Sequence, residues 1–368
     1  MTEVFPRVDD ETLRDLGERL RRYRRVPVPS GDGWSRGVAP DFLDGLIGYW
    51  RDHFDYRAQE RRIAALPWTV HDDATVPMRL LHHVVDDSRP TVLLLHGWPD
   101  SILRFERLLP LLADVNLVVP CLPGFPFSLP VPQGGMSAVE MAGAVGELMD
   151  ELGHDRYVVS AGDIGSAVAE ALAAARPHRV AALHLTDVSQ RHFMDELPAD
   201  LTPQEREYVD RGETWQADEG AYSHEQSTKP HTLAAALGDS PAGLASWIVE
   251  KLRTWTDCGG DVESVFTKDE LLTWVMAYWV TGTVGTSFSP YVSDDGRPWD
   301  KVLTPTVFMI FPHDLVNAPR HFAERLFDVR VWKELDRGGH FAAWERPDDY
   351  AWGVRQAIEL AAVEEKSV

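Results

Sequence analysis

Apolar positions recur at helical spacing from the start of the chain. Leu13, Leu16 and Leu20 share one face of residues 9–25, arginines fill other positions, and Asp9 or Asp10 is placed to cap the first turn. The stretch PVPSGDG ends this helix. Residues 40–66 continue as a helical stretch bearing Trp and Tyr, and residues 68–85 alternate as two antiparallel strands do. Up to about residue 90 the pattern predicts an N-terminal lead-in. Beyond it the pattern changes. TVLLLHG (91–97), VNLVVPCLPG (115–124), RYVVS (156–160) and VAALHL (180–185) are short apolar runs separated by helical segments, as in a buried parallel sheet of βα units. Residues 190–300 turn helical and Trp-rich, with a capping box from Thr267 to Glu270 ahead of LLTWVMAYW. They read as a helical lid inserted into a core of residues 91–189 and 301–368. TPTVFMIF (304–311), RVWKEL (330–335) and a last helix near 346–362 resume the core.

Charge and cysteine content narrow the partners. A formal charge of −22 argues against a nucleic acid, since contacts with phosphates need basic side chains to displace counterions. The arginines of the first helix therefore read as a solvated face. Cys121 and Cys258 have no metal-ligand spacing around them and suggest neither a disulfide framework nor a structural zinc site; no metal and no organic cofactor is expected. The first 25 residues hold no apolar run fit for a signal peptide or membrane span, which points to the cytoplasm and away from a membrane. Self-association into a homo-oligomer stays open.

Chemistry concentrates in three segments. In RYVVSAGDIGSAVAEAL an apolar strand runs into Ala161-Gly162-Asp163-Ile164-Gly165 and then into a helix of small residues, the layout of a nucleophile elbow. A carboxylate there attacks saturated carbon and forms an alkyl ester, where Ser or Cys would form an acyl ester. The plainer reading makes Asp163 a helix cap. His96-Gly97-Trp98-Pro99 follows the strand TVLLL, where this fold places one backbone N–H of an oxyanion hole; Trp98 and Ile164 are the candidate donors. His96, at the strand end, reads as a structural hydrogen-bonding residue. After the lid come FPHD, ending at Asp314, and RGGHFAAWE, containing His340, in the order nucleophile, acid, histidine. Asp187, after VAALHL, competes with Asp314 for the acid position.

HGWP, the GDIGS elbow, YSHEQSTKPHTLAAALGDSPAGLASWIVEKLRTWT, YWVTGTVGTS and RGGHFAAWE together resemble the microsomal-type epoxide hydrolase family over nearly the whole chain. The resemblance implies an α/β-hydrolase fold with a mostly parallel central sheet, a helical lid insertion and an N-terminal extension. It implies that Asp163, Asp314 and His340 are the catalytic triad, and that lid tyrosines Tyr222 and Tyr291 hold the epoxide oxygen. Trp98 would then contribute to substrate binding as well. Many family members carry Glu where Asp314 stands, and a bulky aromatic where Ile164 stands. The small-molecule substrate would be an epoxide, opened by Asp163 and released as a vicinal diol by His340-activated water. A haloalkane or haloacid dehalogenase would share the nucleophile, and a non-catalytic ligand-binding protein would share the fold. Trp215, Trp247, Trp255, Trp274 and Trp279 in the lid suggest a bulky or aromatic epoxide. These residues do not separate detoxification from natural-product biosynthesis.

Overall fold

Asp9 starts the first helix by accepting the Thr12 N–H at 2.6 Å, and α1 runs over Asp10–Arg21. It stops short of residue 25, and the residues beyond it turn to acidic side chains of the next helix instead: Tyr23 donates to Asp44 at 2.8 Å, and Arg25 pairs with Asp41 and Asp44. The helical stretch that follows is two helices, α2 (Pro40–Asp52) and α3 (Tyr56–Ala64). The computed structural model describes residues 4–29, 33–72, 74–131, 135–194, 197–292, 296 and 299–365.

The strands are β1 (Trp68–His71), β2 (Met78–His83), β3 (Thr91–Leu95), β4 (Asn116–Pro120), β5 (Tyr157–Ala161), β6 (Val180–Leu185), β7 (Val302–Ile310) and β8 (Phe327–Glu334). They form one eight-stranded sheet in the order β1-β2-β4-β3-β5-β6-β7-β8. β2 pairs antiparallel with both β1 and β4, and the remaining pairs are parallel. The predicted hairpin of the lead-in is therefore an edge of the central sheet. β3, β4, β5 and β6 are buried along their whole length, which is why they read as unbroken apolar runs. Helices α4 (Ala138–Glu151) and α5 (Ile164–Ala175) cross over between strands, and this α/β-hydrolase arrangement points the carboxyl ends of β3, β5, β6 and β7 to one side.

Between β6 and β7 lie α6 (Arg191–Met194), α7 (Pro203–Glu219), α8 (Ala221–Thr228), α9 (Pro230–Asp239), α10 (Pro241–Thr254), α11 (Lys268–Thr281) and α12 (Ser289–Val292). The capping box of Thr267 and Glu270 opens α11. α1 and α2 pack on α10, and Arg19 donates to the Asp239 carbonyl at 2.6 Å, so the lead-in braces these helices from outside. Helices α13 (Arg320–Leu326), α14 (Ala342–Glu345) and α15 (Pro347–Glu365) complete the chain. No helix among the described residues is long and apolar enough to cross a membrane.

Candidate active site

Between β5 and α5 the chain turns at Asp163, with φ 60° and ψ −132°. Such a conformation costs a non-glycine residue about 1–3 kcal/mol and persists only where its surroundings enforce it. Here the enforcement is close packing: a Cβ on Gly165 would lie 2.5 Å from the Leu95 carbonyl oxygen, so α5 can pass the end of β3 only with glycine there. A Cβ on Gly97 would collide with the Asp163 carboxylate itself. Asp163 occupies the cap position of α5 but makes no capping hydrogen bond. Its Oδ1 instead accepts the Trp98 N–H at 2.7 Å. Burial would push this carboxyl up. The neighbouring His340 imidazolium and the N–H groups of Trp98 and Ile164 outweigh burial and hold it below its usual range.

His340 sits in the loop after β8, 3% exposed. Its Nδ1 faces Asp314 Oδ1 at 2.7 Å, and since a carboxylate can only accept, Nδ1 carries the proton. Asp314 Oδ1 also accepts the Leu315 N–H at 2.7 Å. The other ring nitrogen, Nε2, stands 3.3 Å from Asp163 Oδ2, an ion-pair distance without hydrogen-bond alignment. Burial disfavours the imidazolium, yet the Asp314 charge and the nearby Asp163 carboxylate hold the pKa of His340 well above its ordinary value. The imidazole thus bridges two carboxylates, and Asp187 does not contact it.

Tyr222 on α8 and Tyr291 on α12 approach the site from the lid, with ring centroids 6.1 Å apart. Burial first, and then the Asp163 charge, push Tyr222 up and so keep its hydroxyl protonated. For Tyr291 burial and the neighbouring Tyr222 do the same, ahead of Asp163. The Trp98 indole stacks on Tyr222 with centroids 5.2 Å apart and planes at 8°, and Trp255 meets the Tyr222 ring edge-on at 5.1 Å. The Lys251 ammonium lies 5.0 Å from the Tyr222 ring centroid.

Asp163, Asp314, His340, Tyr222 and Tyr291 all line one cavity of about 380 Å³. Trp98 is not among the lining residues: its ring, 1% exposed, stacks on Tyr222, while its backbone N–H reaches Asp163. None of the five lid tryptophans lines the cavity either. Trp255 and Trp274 are buried in the core, Trp247 donates to Gln226 at 3.2 Å, and Trp279 lies near the Arg19 guanidinium. Apart from the rings of Tyr222 and Tyr291, the apolar lining is not aromatic, and it includes Ile164, Ala167, Val188, Leu315 and Val316. The tryptophans therefore lend no support to an aromatic substrate. A larger groove of about 990 Å³ between the end of α1 and α10 is lined by none of these groups.

Several polar residues that hold the site escape sequence reasoning. Asp100 and Arg104, both fully buried, form an ion pair at 2.8 Å. Asp100 also accepts the Gly97 N–H at 2.7 Å, and Arg104 donates to the His340 carbonyl at 3.1 Å, so the pair joins the Trp98 loop to the His340 loop. Glu345 accepts the N–H groups of Asp257, Gly339 and Phe341 at 2.9–3.0 Å, tying the end of α10 to the His340 loop. The only advance signal was a charged side chain within an otherwise apolar segment. His96 accepts the Leu122 N–H at 3.1 Å in the interior. Among the described residues no cluster of His, Cys, Asp or Glu is placed to hold a metal ion.

Residues 1–105 match the family described as "Epoxide hydrolase N terminus", and residues 90–247 match "alpha/beta hydrolase fold". A Stigmatella aurantiaca protein with epoxide hydrolase in its name is 35% identical over 367 residues, covering 95% of this chain and 83% of its own. Epoxide hydrolase 1 of Sus scrofa is 30% identical over 397 residues, covering 95% and 87%. The structure of the Aspergillus niger epoxide hydrolase superposes with a TM-score of 0.86 at 28% identity, covering 97% of this chain and 95% of that one.

Proposed function

The chain belongs to the epoxide hydrolase family, and from that premise we propose that it converts an epoxide to a vicinal diol through an ester on Asp163. One observation carries this reading: a carboxylate on a strained elbow, an imidazolium 3.3 Å away and two lid tyrosines share a single cavity. Trp98 holds Oδ1 of Asp163, leaving Oδ2 as the attacking oxygen. As Oδ2 bonds to a ring carbon, the C–O bond of the oxirane breaks. Tyr222 and Tyr291 donate hydrogen bonds to the departing oxygen, which needs a proton to leave at neutral pH.

Ester formation removes the charge of Asp163, one of the two anions that hold the proton on His340. The proton gained by the opened oxygen balances the one His340 gives up. Neutral His340, oriented by Asp314, then takes a proton from water, and the hydroxide adds to the carboxyl carbon. The N–H groups of Trp98 and Ile164 stabilise the oxyanion. Collapse expels the diol oxygen, which takes the proton of the new hydroxyl, and the carboxylate and imidazolium are restored. In this reading residues 1–90 are the lead-in, 91–189 and 301–368 the core, and 190–300 the lid. The two buried free cysteines suit a reducing cytoplasm.

His340→Gln separates the half-reactions. Steady-state turnover should fall by about 100- to 10,000-fold. Mass spectrometry should show one substrate mass added to the peptide containing Asp163. A variant that still turns over at the wild-type rate, or an adduct on another residue, would defeat the assignment.

A further inference from the structure

One carboxyl group of the cavity has no task in that chemistry. Asp187 follows β6, and its Oδ1 accepts both the Asp163 N–H at 3.0 Å and the Ser166 hydroxyl at 2.7 Å. Oδ2 makes no hydrogen bond among the described residues. Asp187 is half-buried and lines the cavity, so its open surface faces the substrate space. Because Oδ1 already accepts from two donors, a proton on this carboxyl belongs on Oδ2, where it becomes a hydrogen-bond donor beside the nucleophile.

The surroundings favour the acid form. The ionisable groups that interact with Asp187 are Asp163 on the elbow, Asp314 after β7, His340 after β8, Arg104, Tyr208 on α7 and Tyr350 on α15. Burial, then the Asp314 charge, push Asp187 up to about 7, with Asp163 adding to the rise and Ser166 and His340 opposing it. The same side of the cavity is polar beyond Asp187: Gln216 donates to Gln190 at 2.6 Å, and both line it.

We propose that Asp187 determines specificity by donating a hydrogen bond from Oδ2 to an acceptor oxygen of the substrate, so that the favoured epoxides carry an ether, ester or ketone oxygen close to the oxirane. The proposal rests on the epoxide hydrolase reading of the site. It replaces the tryptophan-based expectation of an aromatic substrate with a polar one.

The test compares kcat/KM for a glycidyl ether and for the 1,2-epoxyalkane of equal length, at pH 6 and pH 8.5. The ratio cancels whatever Asp163, His340 and the tyrosines contribute to both substrates. For the wild type the ratio at pH 6 should exceed that of Asp187→Leu by about threefold to tenfold, the size of one hydrogen bond. It should collapse towards the Asp187→Leu value by pH 8.5, where the carboxylate no longer donates. Asp187→Asn keeps the acceptor for Asp163 and Ser166 and presents an N–H to the cavity, so its ratio should stay high at both pH values. Should Asp187→Leu fail to fold, the wild-type change between the two pH values and the Asp187→Asn result decide alone. A wild-type ratio that does not change with pH, or an Asp187→Asn ratio that falls with pH, overturns the proposal while leaving epoxide hydrolysis standing. Failure of the wild type to hydrolyse either substrate overturns both.

Discussion

The floor and the roof of the cavity are held by different physics. The floor is backbone: Asp163 at φ 60°, Gly165 against the Leu95 carbonyl, the Trp98 N–H on Oδ1, and loops joined by Asp100, Arg104 and Glu345. The roof is ring packing: Tyr222, Trp98 and Trp255 form a cluster in which each ring touches the other two, near the Lys251 ammonium. Hydrogen bonds and close backbone contacts fix atoms to tenths of an ångström and tolerate almost no substitution. Stacked rings slide at modest cost and tolerate exchange. In the proposed reaction the nucleophile Asp163 and the base His340 sit on the rigid part, and Tyr222 and Tyr291, which would follow the departing oxygen, sit on the compliant part.

The largest effect that could break this contrast comes from the tyrosines. Tyr222→Phe and Tyr291→Phe should each slow ester formation by about 100- to 1,000-fold, and the double change by more than either alone, as for loss of oxyanion donors. Hydrolysis of a preformed ester should hardly change. Rapid-quench measurement of the two half-reactions checks this, and a single variant that opens the ring at the wild-type rate would reduce that tyrosine to a packing residue. Next in size is the floor: Gly165→Ala should destabilise the fold by about 2–3 kcal/mol, because α5 must back away from β3. Urea unfolding measures it, and an unchanged midpoint would mean that the elbow is softer than its geometry implies. The smallest effect is expected for Trp279→Leu in the roof's outer layer, with about 1 kcal/mol of stability lost and the order of preference among epoxides unchanged. An altered substrate order would bring the tryptophans back into recognition.

The same contrast explains what could be read from sequence. The floor was legible because backbone demands leave marks in residue size: small residues around Asp163, an apolar strand before it, and glycines ahead of His340. The fold class followed from the buried strands in the same way. The roof was not legible from residue pattern alone. α8 carries only two buried residues, Tyr222 and Gln226, and the tyrosines came from family resemblance. Lid tryptophans suggested an aromatic substrate because sequence shows that a ring exists without showing which side of a helix faces a cavity. Asp100, Arg104 and Glu345 were missed for another reason: much of what they bind is backbone N–H and C=O, which every residue carries.

The grip of Trp98 on one oxygen of Asp163 makes the two oxygens of that carboxylate unequal. In the proposed cycle Oδ2 leaves with each diol and a solvent oxygen takes its place, while Oδ1, pinned by a backbone amide, is never surrendered. The nucleophile has one resident atom and one that is renewed at every turnover. From the second cycle onward, the oxygen that each product carries away is the one that the water of the preceding cycle left behind.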